Sequence, residues 1–351
     1  MTFWIFFITS FIITFLVLPN GIRRLKEKEI VVKDMYKCEK TDIPTNAGIV
    51  VFFSALVSIS ISLVFVRIYI FFGSNNEVLN LSEMNLAFLL VVSIYSFSGI
   101  VDDLLDVNRK IRTIIPIAFG FPLISVIRPD FFFIPFFGDV DLNVIFYEQI
   151  YLSDIFRIVI IPVYVMVVAN LVNMHSGYNG QQSGLSIIIL STLVIKAWLN
   201  GEIEKILPSA SFLGAMLAFF YYNKYPAKVF EGNIGSMFFG SVIGVSIVIL
   251  EYWWFGFFIL IPHTINYLLW MFWLYLRKSF PPNWNPDKYF KPSGSHIKFG
   301  YVRDDGTIFA PNFLTVKWIP NYFFRLTEIQ SVFCVFSFSI FFCLVGLILP
   351  F

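Results

Sequence analysis

The chain has 351 residues, of which 58% are hydrophobic and 14% charged, and its mean hydropathy is +0.77. Ordinary soluble domains carry about 25% charged residues, so composition excludes a soluble globular fold and indicates an integral membrane protein. A net charge of +2 spread over scattered loops offers no basic stripe for nucleic acid, and three cysteines (Cys38, Cys334, Cys343) in no close spacing argue against a disulfide scaffold or a zinc site.

In chain order, the run Phe3–Leu18 reads as a first transmembrane helix and not as a signal sequence, because no basic region precedes it and no small-residue cleavage site follows. A span takes about 20 apolar residues, and candidates occur at 3–19, 48–72, 86–101, 113–128, 154–172, 185–200, 208–223, 236–252, 255–276 and 328–350. The prediction is an all-α polytopic membrane protein with about ten transmembrane helices in a single domain, 1–351. Pro116, Pro122, Pro162 and Pro262 lie inside spans, where neighbouring helices can satisfy the freed backbone groups. Residues 131–150 are interrupted by Pro135 and Gly138 and then alternate through Asp139, Asp141 and Asn143, which reads as a small exposed hairpin near the membrane surface. Forty-four Phe and eight Trp suit lipid-facing surfaces and interfacial belts.

Charge sorts the loops. Residues 20–46, 102–113, 223–235 and 277–326 hold twenty of the 25 Lys and Arg, while 73–85, 129–153, 201–207 and 253–254 hold a single Lys. The positive-inside rule then places the loops at about 20–47, 102–113, 173–184, 223–235 and 277–327 in the cytoplasm, with both termini outside. No internal repeat suggests an inverted-repeat transporter. His263, inside the ninth span, is expected to bond to a neighbouring helix.

All the suggestive chemistry falls in those loops. Asp102-Asp103-Leu104-Leu105-Asp106, followed by Arg109, Lys110 and Arg112, closes the third span. At helical spacing the three aspartates share one side, and charge clustered beside a bilayer is costly unless solvated, paired or bound to an ion. A divalent cation with an anionic substrate would use both signs; a solvated helix end is the plain alternative. Loop one carries Lys33-Asp34-Met35 and then Ile43-Pro44-Thr45-Asn46-Ala47-Gly48, either a basic anchor with a turn or a binding segment. Asn170 to Gly180 packs Asn173, Asn179 and glycines at a span end; amide carbonyls can ligate a hard cation, though Asn-Gly is also a common turn. Glu231-Gly232-Asn233 opens the eighth span, a helix N-terminus suited to an anion or a metal. In the last loop His296 and Lys298 would point to one side of a strand and suit a phosphate.

These motifs, in this order over about residues 20 to 310, resemble the polyprenyl-phosphate N-acetylhexosamine-1-phosphate transferases of glycosyltransferase family 4. Asp102 to Asp106 with Lys110-Ile111-Arg112 is similar to that family's Asp-rich loop. Asn170 to Gly180, Lys33-Asp34-Met35 with Ile43-Pro44, and Tyr225-Pro226 with Val229-Phe230 and Gly232 are similar to the loops of its dolichyl-phosphate branch. The resemblance implies a site on the cytoplasmic face. It also implies transfer of GlcNAc-1-phosphate from UDP-GlcNAc to a polyprenyl or dolichyl phosphate with release of UMP, and Mg2+ as cofactor with Mn2+ as an alternative. The lipid bilayer is the setting, an archaeal-type cell membrane is favoured over the endoplasmic reticulum, and a homodimer is among the assemblies allowed. It implies metal ligation by Asn173, Asn233 and Asp103, and action of Asp102, Asp103 and Asp106 on the lipid phosphate. Substrate contacts are implied for Lys33, Asp34, Met35, Thr45, Lys110, Arg112, Asn170, Asn179, His296 and Lys298.

The chain also departs from the pattern. Asn233 stands where most relatives have Asp, Thr45 follows Ile-Pro where the eukaryotic enzyme is acidic, Gln181-Gln182 replaces the usual Leu-Glu, and the last loop has neither the bacterial His-x-His nor the eukaryotic Arg-His-Arg. These differences bear on which UDP-HexNAc is used more than on the reaction. Two other classes compete. An intramembrane aromatic prenyltransferase would need a second Asp-rich loop. A transporter would place ionisable residues deep in several spans, whereas Arg67, Arg157 and Lys196 lie close to span ends.

Overall fold

The computed structural model describes residues 1–37, 39–72, 81–105, 107–134, 138–147, 150–279 and 300–350. Long helices dominate: α1 (Thr2–Glu27), α2 (Gly48–Phe72), α3 (Glu83–Leu105), α4 (Arg109–Ile114), α5 (Pro116–Phe119), α6 (Leu152–Ile155), α7 (Ile161–Met174), α8 (Gln181–Leu199), α9 (Pro208–Asn223), α10 (Gly232–Ile249), α11 (Trp253–Ile259), α12 (Ile261–Ser279), α13 (Trp318–Phe323) and α14 (Glu328–Ile348). Among the described residues seven helical segments are long and apolar enough to cross a membrane, or eight when α11 and α12, bent by 64°, are counted as one span. The protein is therefore a multi-pass, all-α membrane protein.

The expected count of ten is not reached by that measure, for two physical reasons. The segment at 113–128 is split into α4, α5 and a short 3-10 turn at Phe121–Ser125, with Pro116 and Pro122 each near the start of a piece. Helix α9 has only 16 residues and is buried almost throughout, so it is a core helix shorter than a full bilayer crossing. The segment expected as one hairpin is two. Strand β3 (Phe131–Ile134) pairs antiparallel with β4 (Gly138–Asp141), and β5 (Ile145–Tyr147) pairs with β6 (Ile150–Tyr151). Exposed Phe131, Phe146 and Tyr147 mark their apolar edge, and Trp254 ties the first hairpin to the bundle by donating to the Phe133 carbonyl.

Helix α10 is the axis of the bundle. Every residue from Ile234 to Ile249 is buried, and the helix packs on α3, α7, α2 and α8. Lipid gives apolar helices no hydrophobic reason to associate, so close van der Waals approach at small residues has to supply the packing. Gly240 lies against Ala169 and Gly244 against Val165, which brings α10 directly onto the backbone of α7. At the N-terminal end of α10, Gly48 of α2 and Gly99 of α3 press against the backbone at Gly235 and Ile234, where a Cβ would collide. Three helix ends thus converge on one point.

At the same end a second, smaller core forms from Tyr36, Tyr178, Ile308, Ala310, Trp318 and Val332. It joins the loop after α1, the α7–α8 turn, the hairpin of β7 (Tyr301–Val302) and β8 (Ile308–Phe309), α13 and α14.

Candidate active site

Between these two cores opens a cavity of about 740 Å3, lined from five separate stretches of chain. Lys33, Asp34, Met35 and Thr45 come from the first loop, Asp103 from α3, Asn173 and Asn179 from the end of α7 and the turn after it, Glu231 and Asn233 from the start of α10, and Lys317 from just before α13.

The loop after α1 and the loop before α10 are zipped together by backbone bonds. The N–H groups of Ala47 and Gly48 donate to the carbonyls of Phe230 and Glu231 (3.1 and 2.9 Å), and that of Phe230 donates to Pro44 (2.8 Å). Gly232 has φ near 72° and sits so close to Asn46 that a side chain would strike the asparagine amide. Only glycine meets both demands without strain. The result is a helix N-terminus held open toward the cavity.

Asp103 fills that opening. Its two carboxylate oxygens accept the backbone N–H groups of Asn233 and Ile234, each at 3.2 Å. Those are among the orphan donors of a helix first turn, and the positive end of the helix dipole favours the carboxylate. Asp102 turns the other way, is buried, and pairs with Arg112 at 2.6 Å. Consecutive helical residues do not face each other, so the two aspartates take different partners. Neither Asp102 nor Arg112 lines the cavity.

A profile described as Glycosyl transferase family 4 matches residues 85–251. A protein of Saccharolobus solfataricus with the provisional name UDP-N-acetylglucosamine–dolichyl-phosphate N-acetylglucosaminephosphotransferase is 31% identical over 266 residues, covering 74% of this chain and 75% of the relative. The chain belongs to glycosyl transferase family 4. A protein of Sulfolobus acidocaldarius with the same provisional name is 30% identical over 75% of each chain. The phospho-N-acetylmuramoyl-pentapeptide-transferase of Borreliella afzelii is 27% identical, covering 70% of this chain and 73% of the relative.

Within this family 4 chain the expected site residues are placed in several ways. Asp103, Asn173 and Asn233 line the same cavity, as do Met35 and Thr45, whose hydroxyl donates to the Asn46 amide oxygen at 3.3 Å. Asp34 and Asn179 are buried and already engaged. The Asn179 amide donates to Asp34 (3.2 Å) and accepts from the Ala227 N–H (2.9 Å) and Lys37 (3.3 Å), while its own N–H donates to Glu328 (2.7 Å). Lys37 closes the cluster with ion pairs to Glu328 at 2.5 Å and Asp34 at 3.1 Å. Asn179 is thus the knot that ties the loop after α1, the α7–α8 turn and the loop before α10 to α14. Lys33 is exposed and pairs with Asp42 across β1 (Val31–Lys33) and β2 (Asp42–Pro44) at 2.8 Å. Asn170 does not line the cavity; its amide donates back to Met166 at 2.9 Å. Asp106, the side chain of Lys110, His296 and Lys298 lie outside the described residues.

The partners of several residues in and behind the cavity wall could not be read from the sequence. Gln182 is buried, donates to the Val172 carbonyl (3.0 Å) and accepts from Ser236 (3.0 Å), fastening α7, α8 and α10 behind Asn173. Glu231 accepts from Asn223 at 3.1 Å, and burial pushes its carboxyl above the usual carboxylate range. His263 is expected from the sequence to bond to a neighbouring helix. It is buried against His175, ring centres 4.4 Å apart, and its Nδ1 has no hydrogen-bond partner among the described residues. Spacing alone could not have found these, because each acts across elements distant in the chain.

Proposed function

We propose that the protein transfers GlcNAc-1-phosphate from UDP-GlcNAc to a dolichyl or related polyprenyl phosphate. An oxygen of the lipid phosphate would attack the β-phosphorus of UDP-GlcNAc. The bond from that phosphorus to the bridging oxygen breaks, UMP leaves with the bridging oxygen, and polyprenyl-diphospho-GlcNAc remains. Family membership and the names of the two archaeal relatives support the reading. The observation that carries it is the single cavity in which Asp103, clamped to the N-terminus of α10, meets the amides of Asn173 and Asn233.

The donor set suits a hard cation. Asp103, Glu231, Asn173 and Asn233 offer only oxygen acceptors, and no group of three or more His, Cys, Asp or Glu is gathered for a metal among the described residues. Such a sparse protein shell fits Mg2+, which keeps waters and takes substrate phosphates as ligands; Mn2+ accepts the same oxygens. We assign Asp103, Asn173 and Asn233 as its protein ligands. When bound, the ion would screen the charge of the approaching phosphates. A phosphate monoester has a second pKa near about 6, so the acceptor is mostly dianionic at neutral pH and demands positioning more than a base. Asp103 is built for that task, since two N–H groups fix its orientation. Asn233 holds no charge, so Asp103 carries more of the cation's neutralisation than it would beside a second aspartate.

The test uses the purified full chain in detergent with Mg2+, dolichyl phosphate and a panel of UDP-HexNAc donors. Release of UMP with UDP-GlcNAc and formation of the lipid diphosphosugar is the expected outcome. No UMP from UDP-GlcNAc would sink the donor assignment, and none from any donor would sink the transfer reaction.

A further inference from the structure

Among the described residues two lysines line the cavity, Lys33 and Lys317, and they are placed very differently. Lys33 is spent on Asp42. The ammonium of Lys317 makes no ion pair or hydrogen bond to another described residue. Of the carboxylates lining the cavity, Asp34 is paired with Lys37, Asp103 accepts from the start of α10 and Glu231 accepts from Asn223. Three rings enclose it instead, with Nζ 5.5 Å from the ring centre of Tyr36, 5.8 Å from Tyr178 and 5.5 Å from Trp318.

The chain has made room for this arrangement. Tyr36 and Tyr178 meet edge to face, 4.8 Å between centres, and belong to the small core that joins loop one to α13 and α14. Gly177 lies directly under the ammonium, and a methyl group there would collide with Nζ. Ring faces attract a cation but cannot accept its three N–H bonds as oxygen does. Among the described residues nothing gives this half-buried ammonium an oxygen anion, and it gains more from one than a hydrated lysine would.

We propose that Lys317 is an anion-binding residue of this site, its caged ammonium taking a phosphoryl oxygen of the reacting pair. The inference rests on the transferase reading for the identity of that anion, which is the donor diphosphate or the acceptor monophosphate. Burial lowers the Lys317 pKa to about 8, which leaves the group cationic at neutral pH. The neighbouring His175 is held neutral by burial, by His263 and by Lys317 itself, so the imidazole does not supply that charge.

The experiment compares wild type, Lys317→Met and Lys317→Arg as purified full chains. Binding of inorganic pyrophosphate is measured by calorimetry, and KM is measured separately for UDP-GlcNAc and dolichyl phosphate. Lys317→Met should weaken pyrophosphate binding by about tenfold or more, with Lys317→Arg recovering most of it. A KM increase confined to UDP-GlcNAc would assign the contact to the donor, and one confined to dolichyl phosphate would assign it to the acceptor. Unchanged pyrophosphate affinity in Lys317→Met overturns the proposal. So does an equal loss in both variants with a matching fall in melting temperature, which would make Lys317 a packing residue. The pyrophosphate measurement needs no turnover. Failure of wild type to release UMP therefore counts against the transferase reading and leaves the Lys317 result to stand or fall alone.

Discussion

Asp102 and Asp103 are chemically identical neighbours with different work. Asp103 faces the cavity on two N–H groups of α10, while Asp102 is buried on Arg112. Asp103→Ala should lower turnover by at least about a hundredfold, the scale seen when a preorganised electrostatic group is lost, with normal membrane insertion. Asp102→Asn should chiefly lower the melting temperature, because it removes the buried charge that pairs with Arg112. Asn233→Asp should leave the Mg2+ requirement unchanged or lower it, read as the Mg2+ concentration giving half-maximal rate. A large loss of activity would show that Asn233 does not ligate the ion. Lys317 also sets a pH expectation. As pH rises through about 8 its ammonium loses charge, so KM for the phosphate it holds should rise on the alkaline side and flatten in Lys317→Arg. Around it Tyr36 and Tyr178 are pushed above their ordinary range by burial and His175 below its own, while Asp34 and Glu328 stay paired with Lys37. Neither the two tyrosines nor His175 should titrate in the same window.

Among the elements, the start of α10 is the most constrained. Gly48 and Gly99 let α2 and α3 reach its backbone, and Gly232 supplies a positive φ beside Asn46. Gly99→Val would force α3 away from Ile234 and Asn233, the two residues that orient Asp103. Overpacking of this kind costs about 1–3 kcal/mol. Thermal unfolding in detergent should shift down, and activity should fall further than stability, because the displaced atoms belong to the Asp103 clamp. Retention of full activity would mean that the clamp tolerates a wider separation. The hydropathy pattern located all the long helices. It could not tell that 113–128 would break at its prolines, or that α9 would be short and buried, because a run of apolar residues looks the same facing lipid or facing another helix.

For the whole molecule, the charge asymmetry of the loops and the order of the motifs already implied one face carrying the site, and Asp103, Asn173 and Asn233 do meet there. What composition, apolar run length and local motif determined without any structure is the membrane class, the helical architecture and the family, since each depends on residues close together in the chain. The division of labour between Asp102 and Asp103, the use of Asn179 as a brace for four segments, and the caging of Lys317 by Tyr36, Tyr178 and Trp318 were decided only by tertiary structure. Each depends on which groups from distant segments arrive first at a limited set of hydrogen-bonding and charged partners. A buried carboxylate or amide that finds a protein partner becomes scaffold, whereas a cation that meets only ring faces is left with bonds to give, and only packing settles which it will be.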